Sequence, residues 1–452
     1  MPPPATLRDR LAALVDHLRQ PVDGASVALM RFAFGALMVW DGYRYLSNGW
    51  VLNYWIRPSH FFHYDGFSWV RPWPGQGMYW HFGFLIAAAA AMALGAAWRL
   101  SAAVFAVLFG MVFLFDQANY LNHFYLITLL GFAWIFIPAH TTASVDAALR
   151  PSIATADVPR WSLWLLRFLI AVPYFFGGVA KLNPDWLRGE PMRQWLLQRS
   201  DWPYVGSLFQ TESATWFFAY GGLALDLFIV PALLWKKTRK WAFIGALAFH
   251  GLNAQLFSIG VFPWMMMAAT TIFFEPEWPR EIFRWFARPA PRPVPPLNPA
   301  GAAGFVLLAA FVTAQVLIPF RHLLYPGYVS WTEEGHRFSW HMKLRDKEAT
   351  TVIRAREPGT GRTWKVLPSD YLSPRQVTKF QDQPDMLKKF ALIVAEDHRK
   401  KTGRELEIRA EVMCSLNGRK KQLLIDPEID LVRAPWGLGP TPWILPLKTP
   451  LK

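Results

Sequence analysis

Trp161 to Trp186, WSLWLLRFLIAVPYFFGGVAKLNPDW, is an apolar run long enough to cross a bilayer, yet it ends in a lysine, Lys181. A membrane helix needs roughly 20 predominantly apolar residues, and an ionisable group inside one is costly enough to mark a functional site. An amine held in an apolar pocket sheds its charge and becomes a proton acceptor, which makes Lys181 a candidate general base. The plainer alternative is a lysine that snorkels from a helix end to the interface. Gly177 and Gly178, one turn earlier, let another backbone or a flat ligand approach closely, and Pro173 permits a bend towards the bundle interior.

Two further polar clusters sit at the ends of apolar runs. Asp116 to Tyr125, DQANYLNHFY, contains Asn122 and His123; FHGLNAQLFSIG contains His250, Asn253 and Gln255. Either histidine has an equally simple role as a core residue bonding neighbouring helices. What raises their interest is depth, and depth depends on the helices that carry them.

Hydropathy gives nine candidate spans: Val27 to Ser47, Tyr79 to Ala97, Ser101 to Phe115, Leu121 to Pro138, Trp161 to Leu182, Ala214 to Trp235, Trp241 to Leu252, Gly260 to Phe274 and Ala302 to Phe320. With the N-terminus cytoplasmic, fourteen Arg and Lys fall on the cytoplasmic side, and only Arg57, Arg71, Arg188, Arg193 and Arg199 fall in the opposite short loops, as the positive-inside rule requires. This topology brings Lys181, His123 and His250 to one depth on the outer side and leaves everything after Phe320 outside the cytoplasm. Arg31, Asp41, Arg167 and Asp226 lie within apolar spans and must pair with one another or with backbone, in combinations that sequence does not assign.

The composition agrees with a membrane protein that has a soluble part. At 53% hydrophobic and 17% charged residues over 452 positions, the chain is too apolar for an ordinary soluble multidomain protein. The net charge of +15 lies largely beside apolar runs, where membrane orientation accounts for it and nucleic-acid binding is not implied. A single cysteine, Cys414, excludes an intrachain disulfide and a thiolate metal site. His60, His63 and Asp65 in the aromatic loop Gly49 to Gly77 match no tight metal spacing and read better as part of an interfacial aromatic belt; no metal is expected. No cleavable signal peptide is evident in Met1 to Ala25.

Glu190 to Arg199 reads as a short surface helix, and Glu275 to Ala300 as a Pro- and Arg-rich linker. Beyond Phe320 the alternation in FSWHMKLRD, TTVIRAR, RTWKVL, LEIRAEVMCSL and KKQLLIDP predicts strands, and Ser373 to Lys401 predicts an amphipathic helix. The expected fold is an α-helical integral membrane bundle of about nine spans (residues 1–320), followed by a mainly β extramembrane domain (residues 321–452). No GxGxxG or P-loop is present.

Several ordered blocks resemble the vitamin K-dependent gamma-carboxylases and their bacterial relatives. They are YFFGGVAKLNPDW (Tyr174 to Trp186), NHFYL (Asn122 to Leu126), FHGLNAQLFSIGVFPW (Phe249 to Trp264), GYVSWTEEGHRFSWHM (Gly327 to Met342), QPDMLKKFA (Gln383 to Ala391) and LIDPEIDLVRAPW (Leu424 to Trp436). The resemblance implies conversion of peptide glutamate to gamma-carboxyglutamate, driven by oxidation of a vitamin K hydroquinone with O2 and CO2 as co-substrates and producing the quinone epoxide. Lys181 would then deprotonate the hydroquinone, whose reaction with O2 gives an alkoxide strong enough to take the γ-proton. No side chain is basic enough for that step. Asn122 and His123 would hold a quinol oxygen or developing oxyanion, and His250 would orient the glutamate or assist proton transfer. Gly177, Gly178 and Asn253 would line the quinol pocket; Tyr328, Trp331 and Trp340 would line the path of the glutamate-bearing segment. The implied partners are a glutamate-containing peptide or protein, membrane lipid and a quinone reductase that supplies quinol.

The chain departs from the family pattern at three places. Ala180 stands where animal members look to have the first lysine of a pair, the disulfide expected of animal members cannot form, and the C-terminus is shorter, which puts propeptide-directed recruitment in doubt. A menaquinol would serve in place of vitamin K. The other readings are quinol epoxidation without carboxylation, a membrane acyltransferase using His123 with Asn122, which leaves Lys181 without a role, and a non-catalytic quinone- or lipid-binding protein.

Overall fold

In the computed structural model, residues 6–257, 259–283, 302–437 and 439–451 are described. All nine stretches read as spans contain helix. Five helices are long and apolar enough to cross a membrane: Ala25–Ser47, Gly77–Leu94, Arg160–Lys181, Glu212–Leu234 and Ala303–Leu324. Three shorter apolar ones, Trp98–Leu114, Asn122–Phe136 and Phe262–Phe273, and the more polar Arg239–Leu256 lie between them. The expectation of nine spans is thus reduced to five helices that meet the length and hydropathy of a span. The polar ends that carry the candidate site shorten or dilute the others. Most of the expected linker, residues 284–301, lies outside the described residues.

Eight helices pack in chain order. Each neighbours the next from Ala25–Ser47 to Phe262–Thr270, and the last closes back on the first. The closure depends on small residues at crossings. A Cβ on Gly35 would stand 2.5 Å from the Ala93 nitrogen and 2.6 Å from the Ala89 carbonyl, so this position sets how closely the first two helices approach. Buried charges inside the ring end on backbone carbonyls. Arg31 donates to those of Ala139, Thr142 and Ala143 in the loop between Asn122–Phe136 and Val145–Leu149, and Arg167 to those of Ile272 and Phe274, acceptors that a helix end leaves open. Asp41 pairs with Arg44 at 2.7 Å.

The C-terminal region carries a four-stranded antiparallel sheet in the order Thr363–Val366, Lys347–Arg356, Glu407–Leu416, Gln422–Leu423. Ile353 pairs with Ala410 and Ala355 with Ile408, and the inward face of these strands packs on Phe380, Leu387, Phe390 and Val394 from two helices. The region is mixed α and β rather than mainly β. The single helix expected over Ser373 to Lys401 is two, Pro374–Phe380 and Pro384–Thr402. The ring of Pro384 keeps Gln383 extended, at φ −119° and ψ 105°, and so ends the first helix. FSWHMKLRD is no strand. Its alternating aromatics serve the bundle instead, with Phe338 and Trp340 each 5.1 Å from the Tyr125 ring.

Buried polar contacts join this region to the bundle. The Asp185 carboxylate accepts two hydrogen bonds of 2.6 Å from the Arg419 guanidinium and one of 2.8 Å from Asn417. Gln376 donates to Asp116 and to the His60 carbonyl, each at 2.8 Å, while Lys389 donates to the His63 carbonyl at 2.7 Å and pairs with Asp65 at 2.9 Å. The aromatic loop and the acidic end of the DQAN cluster are therefore docking surface for the C-terminal helices.

Gly35→Ala is expected to lower stability by about 1–3 kcal/mol through overpacking against backbone that cannot move aside. Gly83→Ala, where an added Cβ meets nothing within 4 Å, serves as the neutral control. Thermal unfolding of both variants in detergent measures the difference.

Candidate active site

The helix Arg160–Lys181 runs through Pro173 and delivers Lys181 at its last turn, buried at 6% exposure. Its Nζ donates to Asp226 Oδ2 at 2.5 Å and to the Gly177 carbonyl at 3.4 Å, and stands 5.1 Å over the Trp186 ring. Asp226, on the helix Glu212–Leu234, is equally buried. This carboxylate is the main site feature that spacing alone left unassigned: a lone acid in an apolar span announces a partner without naming it. The lysine helix and the aspartate helix meet closely because Gly178 faces the Leu227 backbone, where a Cβ would stand 3.0 Å from its nitrogen. Gly177 faces Asp226 and the tip of Met342 in the same way. Snorkelling is excluded by this burial; the lysine points into protein.

A cavity of about 260 Å³ lies against this pair. Lys181 and Asp226 form part of its wall, with Tyr174, Trp186, Phe249, His250, Asn253 and Phe262, and the wall is mostly apolar. His250 and Asn253 thus share the cavity with Lys181, as their depth suggested. His250 Nε2 hydrogen-bonds the Tyr174 hydroxyl at 2.6 Å, while its Nδ1 is buried with no partner among the described residues. A flat apolar ligand with a polar edge fits this lining: aromatic walls for its ring, and the lysine, the aspartate and an unpartnered imidazole nitrogen for its oxygens.

The other expected residues lie around the cavity rather than in its wall. His123 stacks on the wall residue Phe262, centroid to centroid 5.5 Å, and the Phe262 ring meets His250 edge-on at 6.1 Å. Asn122 accepts from the Tyr120 hydroxyl at 3.0 Å and donates to the His341 carbonyl at 3.4 Å. Tyr328 donates to Asn183 at 2.8 Å and lines a second cavity of about 310 Å³, beside Asn183, His322 and His341. Burial pushes the His341 imidazole down to about 3, with His322 and Arg345 adding to the effect. Trp331 is fully buried in the C-terminal core, its indole donating to the Leu445 carbonyl, and Trp340 is buried against the bundle. Neither tryptophan is in the wall of either cavity. Sequence reasoning also passed over Met342 and Lys343, which complete the wall of the first cavity.

Comparison with known proteins covers nearly the whole chain in two pieces. Residues 19–278 match the HTTM domain family, and residues 301–450 match the family described as vitamin K-dependent gamma-carboxylase, lumenal domain. No solved structure matches. With the apolar helices, the second match makes this a membrane protein with an extracytoplasmic domain.

The buried pair generates a prediction independent of activity. Asp226→Leu strands the Lys181 ammonium and is expected to destabilise the protein by about 3–5 kcal/mol, whereas Lys181→Met/Asp226→Leu recovers most of that loss. A double-mutant cycle of thermal unfolding in detergent measures the coupling, and a coupling near zero would count against the ion pair.

Proposed function

The chain belongs to the vitamin K-dependent gamma-carboxylase family, and from that premise we propose that it is an integral-membrane carboxylase that adds CO2 to glutamyl residues and couples this to epoxidation of a reduced vitamin K or menaquinol. The observation that carries the reading is a lysine and an aspartate paired at 2.5 Å in the wall of an otherwise apolar cavity.

When bound, a reduced vitamin K supplies, through its oxidation by O2, the strong base that no side chain provides. The protein's own part is proton handling, positioning and exclusion of water. Moving one proton from Lys181 Nζ to Asp226 Oδ2 frees the amine lone pair without creating a new charge in the dry pocket. Lys181 then accepts a hydroxyl proton and becomes an ammonium beside the neutral Asp226 acid, its charge balanced by the oxyanion it has just formed. His250 has a free ring nitrogen for a ligand oxygen, and Tyr174 fixes its orientation through Nε2. Asn253, Gly177 and Gly178 shape the pocket. His123 supports it by stacking on Phe262, and Asn122 links the same helix start to the segment after His341. Tyr328, Trp331 and Trp340 belong to the region through which the glutamate-bearing segment would arrive; the tryptophans act there as packing. The apolar walls keep water from competing for the activated species. The positive-inside charge bias supports a cytoplasmic N-terminus, and a quinone reductase would regenerate the quinol.

The test is direct. Purified protein in nanodiscs receives reduced vitamin K, O2, labelled bicarbonate and a glutamyl peptide, with epoxide and fixed label followed separately. Both products are expected, and Lys181→Ala is expected to lose at least about 10²-fold in each, in line with removal of a general base. Epoxide without label would identify a quinol oxygenase, and the absence of both products would sink the reading.

A further inference from the structure

The cavity wall carries three full charges among the described residues: Lys181, Asp226 and Lys343. Lys181 and Asp226 neutralise each other. Lys343 has no carboxylate within ion-pair distance and no hydrogen-bond partner among the described residues. Its ammonium lies instead over two aromatic wall residues, 4.6 Å from the Phe257 ring centroid and 5.5 Å from that of Trp195. The wall therefore has one uncompensated positive charge, held in place by ring faces and accessible at the cavity mouth. Lys379 and Arg199 bring more positive charge to its surroundings, offset in part by Asp346.

The backbone holds this lysine deliberately. Lys343 sits at φ +51°, and Trp340 and Phe338 before it at +57° and +67°, in the left-handed region that L-residues avoid and that collects at ligand-handling segments. The tip of Met342 lies where a Cβ on Gly177 would meet it at 3.1 Å, and Gly177 is the residue whose carbonyl accepts from Lys181. The segment thus brings the residue before Lys343 against the helix turn that ends in the paired lysine.

We propose that Lys343 is the receptor for the side-chain carboxylate of the glutamyl substrate. A single ammonium suits a monoanion, and a cation in an aromatic setting loses little by exchanging water for a carboxylate. Lys343 would hold the carboxylate at the mouth so that the adjacent methylene faces the cavity. This rests on the carboxylase reading, and it deepens that reading by assigning the anion subsite to a residue distinct from the proton-handling pair.

The experiment measures equilibrium binding of a fluorescent glutamyl peptide and its glutaminyl counterpart to the full chain in nanodiscs, with carboxylation assayed in parallel. In Lys343→Met the glutamyl peptide is expected to bind about 10- to 100-fold more weakly, the glutaminyl peptide within about twofold of wild type, and Lys343→Arg to restore most of the affinity. Equal weakening of both peptides would mean a packing role and would overturn the assignment. So would unchanged binding, or a change confined to the KM for quinol. If the subsite fails while wild-type protein still carboxylates the peptide, the carboxylase reading stands alone. If wild-type protein discriminates the two peptides through Lys343 yet fixes no CO2, the subsite stands and the carboxylase reading fails.

Discussion

Two opposite charges buried within 2.5 Å of each other, in a bundle that offers them almost no water, are the constraint on which the rest of this structure depends. Either charge alone would be intolerable in that setting, and together they are stable only if the helices that carry them meet at one distance and one rotation. The glycines at 177 and 178 supply that condition. Gly178 admits the Leu227 backbone, and Leu227 follows Asp226, so the absence of a side chain on one helix fixes the reach of the acid on the other. A pair held this way is also a proton reservoir of zero net charge, which a solvated lysine is not.

The same lysine is secured from the outside. Four residues beyond it, Asp185 receives the Arg419 guanidinium, and Asn183 between them accepts from Tyr328. The C-terminal region is thereby clamped to the turn that ends the lysine helix. This chain has one cysteine and therefore no disulfide to join its parts; buried charge-assisted hydrogen bonds do so instead, at the place where a change in docking would be felt by the cavity. Similar contacts through Gln376 and Lys389 use polar residues of the third helical connection that sequence alone marked for chemistry.

What was legible in the sequence was whatever depends on local pattern. Helix positions followed from apolar runs, the four strands of the C-terminal sheet from alternation, and the importance of Lys181 from its being charged where nothing should be. Convergence of Lys181, His250 and Asn253 followed from depth. What was hidden depends on pairing across sequence. Asp226 was visible as a buried acid 45 positions from Lys181, but nothing local distinguishes Lys181 from Arg31 or Arg167 as its partner. The two arginines in fact serve backbone carbonyls, a job that any buried guanidinium can take. Phe338 to Met342 misled for the opposite reason, because its alternation is real but is read by the bundle rather than by a neighbouring strand. Trp331 and Trp340 share a sequence block with Tyr328, yet each faces a different core.

The two reactants of the proposed chemistry live in different phases, and the cavity is built where both can reach it. Phe217, Gly221 and Leu252 in its wall are exposed on the flank of the bundle, and neither Gly221 nor Gly245 has anything within 4 Å of an added Cβ. Between the aspartate helix and the histidine helix the wall is therefore thin and apolar, a side that a membrane-dissolved ligand can approach without crossing water. Met342 and Lys343 close the cavity from the C-terminal region, the side from which a peptide would arrive in the proposed reaction. An apolar flank and a cationic mouth on one small cavity sort the two molecules by their own solubility. Lys181 and Asp226 share that wall, and in the proposed reaction they would take a proton from one reactant while the other is held by its charge.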